Sequence, residues 1–195
     1  VLGAMAGSLK SWRLTARAGL TVPIGRTERD PFVLGDMGLP HQHIQMGTGT
    51  VNPVLAFEGS RSWGAWRFGA FAFTQQALYA NGKGYRAGDR YAGGGSLRYR
   101  LRPRWSVRGG VEVQGETAEQ WGGITHTDDG NRSRFDAMLG AGASWSASNA
   151  LSFDLGLKIP VVTHAVGGQL KMPALAVTEH GNMFSSVVFP DHARD

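Results

Sequence analysis

The sequence predicts an all-β protein, an antiparallel up-and-down transmembrane β-barrel with about eight strands visible. Three observations carry this expectation: a two-residue alternation of apolar and polar positions in four separate segments, connections that are long and short in turn, and a composition rich in glycine and poor in charge. The 195 residues suffice for one domain. Twenty-nine glycines are hard to place in long helices, and cysteine is absent, which excludes a disulfide framework, a thiolate nucleophile and a cysteine-ligated metal centre. The charge-free stretch Ala137 to Phe153 holds five Ser or Asn residues and two glycines, so it is not a spanning helix.

Taken in order, the first strand runs from Ser11 to Gly25, with Trp12, Leu14, Ala16, Ala18, Leu20, Val22 and Ile24 opposing Arg13, Thr15, Arg17 and Thr21. Weaker patterns place strands at Asn52 to Ser60, Trp66 to Leu78 and Asp89 to Leu101, the last two compatible with either register. Arg104 to Glu116 alternates cleanly, Trp105, Val107, Val111 and Val113 against Arg108, Glu112, Gln114 and Glu116. So do Arg134 to Ala147, where Phe135, Leu139 and Trp145 oppose Arg134 and Asp136, and Leu151 to Val161, where Leu155, Leu157 and Ile159 oppose Asp154, Lys158 and Pro160. A last weak strand covers Leu170 to Thr178.

Long connections (Arg26 to Val51, Tyr79 to Gly88, Thr117 to Ser133, Val162 to Gln169) alternate with short ones (Arg61 to Ala65, Arg102 to Pro103, Ser148 to Ala150). Long loops therefore share one end of the sheet and tight turns the other, the arrangement of outer-membrane barrels with short periplasmic turns. Alternation is equally compatible with a soluble barrel that buries its apolar set. The aromatics Trp12, Trp63, Trp66, Tyr99, Trp105, Trp145 and Phe153 all fall near the tight turns, where an interfacial girdle would lie, and this favours the membrane.

The segments GLTVPIGRTERD, LPHQHIQMGTGTVNP, VLAFEGSRSWGAWRFGAFAF and NGKGYRAGDRYAGGGSLRYRL are similar to those of the outer-membrane transporter barrels of the meta-pathway phenol-degradation type family. Members show a Gln-x-Gly-Thr-Gly loop before an Asp or Asn and a Gly-Tyr-x-x-Gly-Asp segment before a Leu-x-Tyr-x-Leu strand. Gln45 to Thr50 and Gly84 to Asp89 match, and the resemblance spans Leu14 to Leu157. It implies location in the bacterial outer membrane and further strands upstream, Val1 to Ala6 reading as the end of one, so the barrel is expected to be incomplete at its amino end. One barrel domain over residues 1–180 is expected, with 181–195 a tail or an uncertain last strand. The opening VLGAMAGSLK lacks the parts of a signal peptide, as in a mature product or a fragment.

By alternation the lumen-lining and selectivity residues are Arg13, Arg17, Arg98, Arg100, Arg108, Glu112, Arg134, Asp136, Asp154 and Lys158, with Glu116 beside them. Such charges form cross-strand ion pairs, or their basic excess draws anions into a pore. The loop carrying Pro40, His41, Gln45, Gly47 and Gly49 is expected to fold over the mouth as a gate, its glycines permitting positive φ. His41 and His43, with His126, Asp128 and Asp129, are weak metal candidates, and loop histidines are more often solvated. No metal or other cofactor is expected.

No Gly-x-Ser-x-Gly elbow or His-x-Ser pair occurs, and His126 and His164 are placed in loops, so catalysis is not expected. The net charge of +5 is spread singly along the chain, which speaks against nucleic acid. The expected partners are the lipid bilayer and a small-molecule solute, with oligomeric state left open. The function expected is passive passage of small solutes into the periplasm, hydrophobic aromatic compounds by the resemblance or small anions by lumen charge. The alternative is a closed structural or adhesive barrel acting through its extracellular loops. An arginine at Leu139 or Leu155 is expected to impair assembly more than one at Gly142.

Overall fold

The computed structural model describes residues 3–9, 12–43, 45–126, 133–148, 151–166 and 176–178. In chain order these form β1 (Gly3–Leu9), β2 (Trp12–Thr21), a short helix α1 (Pro31–Asp36), β3 (Asn52–Trp63), β4 (Trp66–Gln75), β5 (Tyr85–Arg86), β6 (Arg90–Arg102), β7 (Trp105–Glu116), β8 (Gln120–Trp121), β9 (Ser133–Ser146), β10 (Ser152–Val166) and β11 (Ala176–Thr178). Nine strands make one antiparallel sheet in the order β1-β2-β3-β4-β6-β7-β9-β10-β11, and the two-residue strands β5 and β8 pair with each other. The chain is thus an all-β meander in which each sheet strand pairs with its neighbours along the sequence. β1 and β11 end the order, and no pairing joins them among the described residues.

The tight turns follow from local chemistry. Trp63 pairs with Trp66, leaving Gly64 and Ala65 as a two-residue turn with Gly64 at φ 56°, a conformation that suits glycine. Arg102 pairs with Trp105 after a bulge between Arg100 and Arg102, so Pro103 and Arg104 make the next turn without asking the proline for a ladder hydrogen bond. At the third turn Ser148 Oγ accepts from Leu151 N at 3.1 Å.

Several boundaries differ from expectation. β2 stops at Thr21 instead of Gly25, because Pro23 has no N–H to extend the ladder, and Val22 and Ile24 stand in the loop. β3 continues to Trp63, while β4 ends at Gln75 before its proposed limit. β10 runs to Val166 through a bulge between Pro160 and Val162, the place where proline interrupts the ladder. That extension puts His164 on a strand opposite Phe135 instead of in a loop. Of the expected strand Leu170 to Thr178, β11 is the described part; 167–175 and the tail 181–195 lie outside the described residues.

The register settles the faces that alternation left open. Phe68, Ala70 and Ala72 of β4 lie with Leu97 and Gly95 on the apolar face, whereas Arg67, Phe71 and Phe73 belong to the polar one. On the apolar face at the turn end, Trp105 stacks on Trp145 at 5.8 Å and Trp145 on Phe153 at 5.5 Å. Trp66 and Tyr99 meet there at 4.5 Å, and Arg61 sits over Trp12. The buried apolar side chains among the described residues are Pro31, Ala77, Tyr85 and Trp121, none of which belongs to the nine-stranded sheet. The sheet's own apolar side chains stay open: Leu155 is 65% exposed, Val111 56% and Phe57 55%.

Candidate functional site

The polar face of the sheet gathers all ten residues chosen from alternation. Arg13 faces Ser60, Arg17 faces Ala56, Arg98 stands between Arg67 and Arg108, and Arg100 faces Ser106. Glu112 lies between Gly94 and Met138, Arg134 opposite Glu116, Asp136 opposite Gln114 and Thr163, Asp154 opposite Ser144, and Lys158 opposite Gly140. Most of the carboxylates are held by bases on this face. Arg17 pairs with Glu58, Lys158 Nζ with Glu112 at 2.6 Å, and Arg90 Nε with Glu116 at 3.2 Å. Asp136 is the most buried, 2% exposed, and accepts from Arg134 Nε at 2.5 Å, Arg134 Nη2 at 3.2 Å and Gln114 Nε2 at 3.2 Å. A buried carboxylate needs such donors, since an unpaired one would lose its hydration without return.

Sequence reading missed Glu58, Arg67 and Arg90 because the alternation of β3, β4 and β6 is weak, and that of β4 and β6 is compatible with either register. Pairing the two tryptophans across the Gly64 turn would have supplied the signal. Gly142 also differs from expectation: a Cβ there would stand 2.7 Å from Leu155 O and 2.9 Å from Arg108 Nε, so a larger residue collides with the ladder.

At the long-loop end the connections build a packed cluster. Trp121 and Tyr85, brought together by the β5–β8 pair, lie 4.8 Å apart and are buried. The Tyr85 hydroxyl donates to Glu119 Oε2 at 3.0 Å. Burial pushes this phenol well above its ordinary range, and the adjacent Glu119 carboxylate adds to the rise. Asp89 Oδ1 accepts from Ala77 N at 2.7 Å, and Arg86 Nε donates to Ala77 O at 2.8 Å, closing the loop between β4 and β6.

The predicted gate is tied into this cluster. Asn52, fully buried at the end of β3, accepts from Thr50 Oγ1 at 2.9 Å and donates to Thr48 Oγ1 at 3.3 Å. Asn81 Nδ2 donates to Thr48 O at 2.9 Å, and Gln45 Oε1 accepts from Glu28 N at 3.0 Å. The two glycines act differently. Gly49 takes φ 69°, as expected of a glycine in this loop, whereas Gly47 is needed for close approach: its Cβ would lie 2.7 Å from Gly25 backbone atoms. Pro40 and His41 line a cleft of about 720 Å³ with Arg26, Arg29, Leu34 and Lys83.

The histidines come together around Phe32 of α1, whose start is set by Pro31 and by Asp30 accepting from Phe32 N at 2.9 Å. His126 stacks on Phe32 at 3.5 Å, His43 meets its edge at 5.5 Å, and His41 meets His43 at 5.0 Å. These are ring contacts; no group of three His, Cys, Asp or Glu able to hold a metal ion occurs among the described residues. Asp128 and Asp129 lie outside them.

Fold and site together define an antiparallel meander with one exposed apolar face, one ion-paired polar face and a packed cluster of long loops at one end. Residues 8–165 match the family described as "Putative MetA-pathway of phenol degradation", and the chain belongs to that family. Comparison with curated proteins and with solved structures gives no match.

Proposed function

We propose that the chain forms the wall of a bacterial outer-membrane β-barrel through which small solutes pass passively into the periplasm. The observation that carries this reading is the exposure of the sheet's apolar face, where Leu139 at 50%, Leu155 at 65% and Val111 at 56% have no covering layer. A soluble barrel or sandwich would turn these side chains inward, whereas lipid is a solvent that favours them. Strand length agrees: β7, with 12 residues, reaches about 40 Å along its axis at roughly 3.3 Å per residue, which a tilt of about 40° reduces to the thickness of a bilayer core. The stacked aromatics at the turn end suit the headgroup boundary.

On this reading the polar face lines the lumen, the loop at 40–50 sits at the outer mouth, and no catalytic step is assigned. The family description, which names phenol degradation, supports small aromatic compounds as cargo. The competing reading, a closed structural or adhesive barrel, draws on the packing of the loop cluster. Two measurements test the proposal. Heat-modifiable migration of protein extracted from outer membranes reads barrel assembly, and swelling of proteoliposomes in small neutral sugars reads passage. Assembly without swelling would favour the closed barrel; failure to assemble would reject both.

A further inference from the structure

We infer that Arg67, Arg98 and Arg108 form a binding station for small anions on the polar face, and that the preferred solutes carry a carboxylate or comparable negative group. This rests on the passage reading given above. Register sets Arg67 directly opposite Arg98 and Arg98 directly opposite Arg108, so three arginines stand abreast on β4, β6 and β7. Neighbours so placed have Cβ atoms about 4.5–5.5 Å apart, and like charges at that spacing repel unless negative charge comes among them. Arg67 and Arg98 have contacts of their own; the density of charge, and not a vacant guanidinium, is what draws an anion.

The surroundings suit a ligand. The adjoining row on the loop side is Ser60, Gly69, Ser96, Gly110 and Gly140, five consecutive partners no larger than serine, so no bulky side chain of that row stands beside the guanidinium groups. On the turn side Arg100 adds a further charge, and the carboxylate there, Asp154, lies 3.9 Å from Arg108 Nη1. Closer to the loops, by contrast, acids and bases match one to one in Arg17–Glu58, Lys158–Glu112, Arg134–Asp136 and Arg90–Glu116. Among the described residues the polar face is therefore close to balanced toward the loops, where Arg13 is the excess base, and more strongly cationic toward the turns. Guanidinium forks match the two oxygens of a carboxylate, and a cationic constriction raises the local concentration of anions.

The test is the reversal potential of the full-length protein in a planar bilayer under a potassium chloride gradient, repeated with acetate replacing chloride. Anions are expected to be preferred over potassium by at least about threefold, in the manner of charged pore linings. The R67Q/R98Q/R108Q variant, checked for folding by heat-modifiable migration, is expected to lose that preference; R98Q alone serves if the triple variant does not assemble. Conductance with no preference, or with a preference for potassium, overturns the anion station and leaves the passage reading standing. Folded protein without conductance removes both.

Discussion

Lys158 reaches over an intervening strand to place Nζ 2.6 Å from Glu112 Oε2. The two residues sit on β10 and β7, with β9 between them, and the partner of Lys158 on β9 is Gly140. Glycine leaves the lysine stem free to lie across the strand: a Cβ at Gly140 would stand in van der Waals contact with Lys158 Cγ at 3.8 Å, and a branched side chain would extend into the path of the stem. The pair thus depends on a third position that carries no charge.

A double-mutant cycle with E112Q and K158Q is expected to give a coupling of about 0.5–1 kcal/mol in denaturant unfolding, the range for partly exposed ion pairs. In a G140V background the coupling should fall close to zero. An unchanged coupling there would mean that the lysine takes another route.

Neighbouring residues on β9 provide a test of which face meets lipid. Leu139→Arg should cost about 2–4 kcal/mol of barrel stability if its face lies near the bilayer midplane, whereas Met138→Arg, beside Glu112 on the polar face, should assemble normally. Gly142 is unsuitable as the tolerant control because any side chain there meets Leu155 O and Arg108. Equal assembly of the two variants on a heat-modifiability gel would reverse the inside and outside assignment.

Gly49→Ala should loosen the loop that joins α1 to β3. A Cβ there meets Thr27 Cγ2 at 2.8 Å and Asn81 Nδ2 at 2.9 Å, and the φ of 69° is costly for alanine. Faster trypsin cleavage at Arg26 or Lys83 in the folded protein is the expected outcome, with strand protection unchanged.

The Tyr85 phenol should be the last tyrosine of the chain to ionise. Its ordinary value is 10.0, and burial beside Glu119 raises it, so its contribution to the loop cluster is complete below about pH 10 and declines as the pH rises beyond that. Tyrosinate absorbance should show one late-titrating group in the wild type that disappears in Y85F. Its persistence in Y85F would assign the late group elsewhere.

The best-marked strands were legible because their two faces differ along their whole length: Val107, Val111 and Val113 against Arg108, Glu112 and Gln114 leave one solution for β7. β4 was not legible in this way, since Phe68 serves one face and Phe71 and Phe73 the other, and only pairing decides between them. The charged residues of the polar face followed directly from alternation, but their partners did not, because Arg17–Glu58 and Lys158–Glu112 depend on registers between strands. The loop cluster was the least accessible. Nothing local in Tyr85-Arg86 or Gln120-Trp121 announces that two dipeptides 34 residues apart will pair, and their contact is made by tertiary packing alone. The start of α1 at Asp30-Pro31 did carry a local signal, a cap followed by proline, that strand periodicity obscured.

The bulge at Val161 acts as a parity switch. One unpaired residue changes which numbers face which side, so that Thr163 reaches Asp136 and His164 joins Phe135. If Val161 were instead drawn into the ladder opposite Ala137, the same amino acids in the same order would bring Thr163 opposite Phe135 on the apolar surface and His164 opposite Arg134 on the polar one. The last turn of the strand is therefore written in a reading frame that one residue maintains, and shifting that frame would exchange the two environments without altering a single side chain.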